Sequence, residues 1–123
     1  MSRAPHLKTG QQAEELALKL LQSRGLELLT RNYRCRQGEL DLVLEQAGTL
    51  VIVEVRYRRD AGFGSAAETV GAGKQHKVVL AAQNYLRCHP QLRRKPLRFD
   101  VVAVSEGEPG PAVEWIQDAF QAQ

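Results

Sequence analysis

The sequence predicts an α/β fold, with a mixed central sheet flanked by helices in the order helix, three strands, helix, strand, strand. Three observations predict it. Two strand-like runs, Gly38 to Leu44 and Leu50 to Arg56, stand back to back across Gln46-Ala47-Gly48-Thr49, which reads as a hairpin. Two stretches with apolar residues at helical spacing bracket this three-strand block. The second of them separates the third strand from the fourth, and a helical crossover joins parallel neighbours with a right-handed connection.

Residues 1–8 read as a loose basic tail. Thr9-Gly10-Gln11-Gln12 fits a capping box, and the helix it opens ends near Gly25. At ~100° per residue, Ala13, Leu16, Ala17, Leu18, Leu20 and Leu21 share one arc. Glu14 falls inside that arc and Glu15 outside it. Glu14 therefore either reaches the interior or snorkels out from the edge of an amphipathic stripe.

Leu26 to Arg34 alternates weakly as a first strand. Arg36-Gln37-Gly38 turns the chain, with Gly38 supplying a bend or a close backbone approach. The third strand sends Leu50, Ile52, Glu54 and Arg56 to one face and Val51, Val53, Val55 and Tyr57 to the other. A run apolar on both faces is a central strand covered twice. Glu54 and Arg56 are costly there unless they pair, bind a metal or meet a ligand. Asp41, between Leu40 and Leu42, has a similar setting across the hairpin.

The stretch Arg58 to Gly73 is rich in Gly, Ala and Ser and carries Phe63-Gly64-Ser65. A loop of this length tends to be functional, and here it is expected to wall a substrate groove. Helix two runs from about Gly73 to Cys88 and stops before Pro90. Val78, Ala81, Ala82, Tyr85 and Leu86 mark its buried side, which Lys74 and Gln75 share at the first turn. The free N–H groups of that turn suit phosphate, with plain solvation as the alternative. Gln91 to Pro96 is a basic connector, and Arg98 to Val104 a fourth strand. After a Gly/Pro-rich turn comes a short strand, Val113 to Ile116, then a helical or frayed end from Gln117.

At 123 residues the chain is expected to be a single domain, with a core over 10–104 and a C-terminal strand and tail over 105–123. The net charge of +3 leans mildly toward anionic partners. Its basic residues cluster at Arg31, Arg34 and Arg36, at Arg56, Arg58 and Arg59, at Lys74 and Lys77, and at Arg93 to Arg98. Clusters at strand ends beside buried acids favour a polyanion. Cys35 and Cys88 lack the spacing of a zinc site and read as free thiols in a reducing compartment. Met1 to Gln12 has no apolar signal core, and no run is long enough to span a bilayer, so a cytoplasmic protein without a membrane partner is expected.

Asp41…Glu54-Val55-Arg56, set in this element order, resembles the PD-(D/E)XK nuclease superfamily. More closely, the span from about Gly10 to Val104 resembles the YraN family, relatives of the archaeal Holliday-junction resolvases. The matching stretches are Glu14-x-x-Ala17, Arg31-Asn32-Tyr33-Arg34, Gly38-Glu39-Leu40-Asp41-Leu42, Val53-Glu54-Val55-Arg56, Phe63-Gly64, Lys74-Gln75 and Arg98-Phe99-Asp100-Val101-Val102.

The resemblance implies a restriction-endonuclease-like αβββαβ core and a metal-dependent endonuclease acting on DNA rather than RNA, branched or structured DNA included. It implies Mg²⁺ or Mn²⁺ held by Asp41, Glu54 and the Val55 carbonyl oxygen, with Glu14 assisting from the first helix. It also implies Gln75 orienting substrate or water, and a homodimer that cuts paired strands symmetrically. Arg56 and Lys74 are expected on phosphate, and Arg34, Arg36, Arg58, Arg59 and Lys77 on nucleic acid. Arg56 departs from the superfamily, which usually has lysine there; a guanidinium does not surrender a proton and cannot serve as a base. That departure motivates a second reading, a nucleic-acid-binding module on an inactive nuclease fold; a third, from another class, is a protein-interaction module using the sheet edge or the Phe63 loop.

Overall fold

Residues 10–58, 70–107 and 110–122 are described by the structure, a computed structural model. Helix α1 (Gly10–Ser23) leads into β1 (Glu27–Cys35), β2 (Gly38–Gln46) and β3 (Thr49–Arg58). Helix α2 (Ala72–Cys88) and a single 3-10 turn at Pro90–Leu92 carry the chain to β4 (Leu97–Ser105) and β5 (Ala112–Phe120). The sheet order is β1-β2-β3-β4-β5, antiparallel throughout except for the parallel β3–β4 pair across the α2 crossover. This is the mixed α/β architecture expected, consistent with a restriction-endonuclease-like core.

The two helices cover opposite faces. Val51, Val53, Val102 and Val104 pack with Ala13, Ala17, Leu18 and Leu21 of α1. Leu50, Ile52, Phe99 and Val101 pack with Val78, Ala81, Ala82 and Tyr85 of α2. Period-two alternation along β3 and β4 therefore feeds two cores from one sheet, which is why these strands are apolar on both faces. The β2–β3 hairpin closes through Ala47 and Gly48 at φ 48° and 87°, between the pair Gln46 and Thr49. Positive φ at both central residues matches the right-handed twist of the flanking strands.

Gly38 makes the close approach its position suggested. A Cβ there would lie 3.2 Å from the Lys77 carbonyl oxygen, so the β1–β2 turn rests directly on the α2 backbone. At the far end, β5 corrects the sequence reading. The strand continues through Gln117 and Asp118 to Phe120, where a helical or frayed end was expected. A register shift between Phe99 and Val101, with Asp118 at φ 54°, lets the strand carry on past an irregular rung. Thr9 of the capping box and Arg59 and Phe63 of the loop lie outside the described residues.

Candidate functional site

The site grows out of one rung at which two strands change face. In β2, Leu42 and Leu44 pack on the α1 side, yet Leu40, two residues before Leu42, packs on the α2 side. In β1, Tyr33 meets Tyr85 of α2 while Arg31 pairs with acids of α1. The β1–β2 register passes from Arg31↔Leu42 to Tyr33↔Leu40, over Asn32 and Asp41. Asn32 adopts φ 53°, the left-handed conformation that asparagine tolerates better than most residues. The β2–β3 pairing runs from Gln46↔Thr49 to Leu42↔Val53. Beyond it the Asp41 carboxylate takes over, accepting the Val55 N–H at 2.8 Å through Oδ2. An extended residue turns its N–H and C=O to the same side, so the Val55 carbonyl faces this gap as well.

Glu54 lies beside Asp41 and is 1% exposed. Burial is the main reason its pKa rises from 4.5 to about 8, with the Asp41 charge adding to it. The Lys74 ammonium and the Asp41 backbone N–H pull the other way. Lys74 Nζ stands 3.5 Å from Glu54 Oε1. Glu54 Oε2 is buried with no hydrogen-bond partner among the described residues. Asp41 is also raised, again chiefly by burial, against the Val55 N–H, Lys74 and Arg56.

Glu14 approaches from the α1 side. Burial raises its pKa, and Asp41 is the next cause, so the two acids sense one another; Arg31 and the Asn32 side chain oppose the shift. Arg31 spans 3.9 Å to Glu14 Oε1 and 2.6 Å to Glu15 Oε1. Glu14 therefore reaches inward, the first of the two outcomes its helical position allowed. Among the described residues, however, no three Asp, Glu, His or Cys side chains are grouped closely enough to hold a metal ion. What is assembled is a pair, Asp41 and Glu54, with Glu14 behind it.

Arg56 is half-buried on the Glu54 face, and its Nε has no hydrogen-bond partner among the described residues. Its charge reaches Asp41. Gln75 is occupied otherwise: its Nε2 donates to the Val70 carbonyl at 2.8 Å and fixes the entry to α2. It lines a cavity of about 90 Å³ with Ala72, His76, Val79 and Gln121. Lys74 is the α2 side chain that touches the acids. Lys77 and Arg36 are exposed where the β1–β2 turn meets α2, and Arg34 there pairs with Glu39 at 3.2 Å. Arg58 is half-buried at the end of β3.

The donor set suits a hard cation. Two carboxylates, one bearing an orphaned buried oxygen, and a strand carbonyl are oxygen ligands of the number Mg²⁺ uses when it keeps several waters.

Two features escape the sequence pattern. Asn32 shapes the rung, and its only local signal is an asparagine inside an otherwise regular strand. The other is a network around fully buried Asp100. It accepts from Arg98 Nε and Nη2 at 2.9 and 3.0 Å, from Trp115 Nε1 at 2.9 Å and from the Asp118 N–H at 2.8 Å. Arg98 also reaches Gln46 Oε1 at 3.0 Å. With every oxygen satisfied, this carboxylate is structural, and Arg-x-Asp on one strand face was its sequence trace.

Comparison with known proteins adds the lineage. The family described as "Uncharacterised protein family UPF0102" matches residues 13–104. A UPF0102 protein of Saccharophagus degradans is 50% identical over 95% of this chain and 96% of its own length. One from Nitrosococcus oceani is 44% identical over 100% and 99%, and one from Pseudomonas putida 47% over 98% and 99%. Among the described residues, no helix is long and apolar enough to cross a membrane.

Proposed function

We propose that this chain, which belongs to the UPF0102 family toward which its YraN-like motifs pointed, is a metal-dependent nuclease-like protein acting on DNA phosphodiester bonds, in branched or structured DNA. One observation carries the reading: buried Glu54, with an unsatisfied oxygen, stands beside half-buried Asp41 and a cationic margin. A carboxyl group kept dry at the cost of a strongly raised pKa, with a second acid beside it, fits a site that takes a cation, and perturbed groups of this kind gather at functional sites.

Asp41 and Glu54 hold the ion, and the Val55 carbonyl offers a third oxygen. Glu14 acts from behind Asp41. When bound, Mg²⁺ or Mn²⁺ polarises the phosphodiester and makes a nearby water more acidic. Arg56 holds a non-bridging phosphate oxygen and steadies its charge. Arg34, Arg36, Lys74 and Lys77 follow the sugar–phosphate chain, with Arg58 at the end of β3. Gln75 sets the position of the α2 entry.

The test is incubation of purified protein with Mn²⁺ or Mg²⁺ and linear, flapped and four-way DNAs. Cleavage is expected on at least one, falling at least about a hundredfold in Asp41→Ala and Glu54→Ala. Cleavage that survives both substitutions removes the enzymatic reading.

A second reading, nucleic-acid binding without turnover, is favoured by Arg56, which cannot take a proton from water. It predicts salt-dependent DNA binding, no cleavage, and gain of cleavage in Arg56→Lys.

A further inference from the structure

The α2 side chain that touches the acid pair is a cation, and it stands where a second cation is expected. Lys74 Nζ is 3.5 Å from Glu54 Oε1, while Oε2 of the same carboxylate has no hydrogen-bond partner among the described residues. The contact is loose for a charge-assisted hydrogen bond, which closes to about 2.7–2.9 Å. Glu54 is fixed, with 1% of its side chain exposed, whereas Lys74 has 36% exposed. The two partners thus differ in freedom. A lysine in the first turn of α2 can swing its ammonium to solvent on a flexible four-carbon stem; the strand carboxylate cannot follow.

We propose that Lys74 is the resident counter-cation of the Asp41–Glu54 pair, displaced outward when a divalent cation binds and thereby delivered to a substrate phosphate. The inference rests on the metal-binding reading above and adds a coupling to it. Lys74 supplies one positive charge to the pair, and a divalent ion brings two, so the ammonium becomes redundant and is repelled at short range. Once outside, it joins Lys77, one helical turn further along α2, and Arg36 of the β1–β2 turn on the exposed basic margin. Metal and nucleic acid then bind cooperatively. Each favours the state in which Lys74 has left Glu54, and the coupling is reciprocal.

The experiment measures binding and needs no turnover. Mn²⁺ affinity is followed by calorimetry or electron paramagnetic resonance for the wild type, Lys74→Gln and Glu54→Gln, and four-way DNA affinity is measured with and without Ca²⁺. Lys74→Gln is expected to tighten Mn²⁺ about tenfold. Ca²⁺ is expected to strengthen DNA binding several-fold in the wild type and to lose that effect in Lys74→Gln. Lys77→Gln is the control: it weakens DNA binding while leaving both Mn²⁺ affinity and the Ca²⁺ enhancement in place. If the wild type binds Mn²⁺ through Glu54 but Lys74→Gln binds it no more tightly, or keeps the Ca²⁺ effect, the counter-cation role is wrong and the metal reading stands. If Mn²⁺ binds neither protein, or binds Glu54→Gln equally well, both fall together.

Discussion

Among the described residues, Glu54 is the carboxyl group that burial pushes up furthest. Its pKa of about 8 in the folded chain, against 4.5 as the ordinary value, means the native state keeps a proton that the unfolded chain releases. Stability is therefore fullest below about pH 4.5 with respect to this group and declines as pH rises to about 8. Asp41, also raised, acts with the same sign. A loss of about 2–4 kcal/mol across that window is expected, read from urea melts at pH 5 and pH 8.5. Glu54→Gln should flatten the profile and be the more stable protein at pH 8.5. An unchanged wild-type profile would mean that the pair is not desolvated. This residue announced itself in the sequence because a carboxylate interrupts an otherwise apolar strand. Asn32 did not, because the conformation it supplies shows only when the opposite strand changes face at Asp41.

Elements were legible wherever periodicity decided them. The hydrophobic arc of α1, the two-faced β3 and most of the buried side of α2 occur where the residue spacing placed them; on α2, Val79 is buried as well and Leu86 only half-buried. The end of β5 was not legible. Gln117 and Asp118 are polar and look like a chain fraying into solvent, but the Asp118 N–H is held by a carboxylate 18 residues earlier. No local pattern reports a bond of that reach. The β1–β2 turn shows the opposite case, a glycine whose role is contact. Gly38→Ala places a methyl 3.2 Å from the Lys77 carbonyl oxygen, and a helix backbone yields little. We expect a cost of about 1–2 kcal/mol in denaturant unfolding, with α2 shifted outward. Gly10→Ala, with nothing within 4 Å, is the matched control that leaves packing alone.

At the scale of the molecule, the topology followed from connection lengths: short turns made neighbours antiparallel, and one helical crossover made β3 and β4 parallel. The convergence of distant segments was only partly readable. Asp41 and Glu54 meet because the hairpin sets their strands side by side, whereas the bond from Trp115 to Asp100 depends on how β5 folds back. Asp100→Ala should cost about 3–5 kcal/mol, since it abandons the buried end of Arg98, against about 1 kcal/mol for Trp115→Phe. Chemical denaturation of the two variants measures the gap, and similar small losses would show the network to be ornamental. The same network bears on where this protein can be cut. The family match closes at residue 104, while two of the donors that quiet Asp100 arrive at 115 and 118. A fragment trimmed to the matched span would expose one flank of β4 and strip Asp100 of two of its four donors, leaving Arg98 alone to hold it, so the shortest piece worth expressing runs through Phe120.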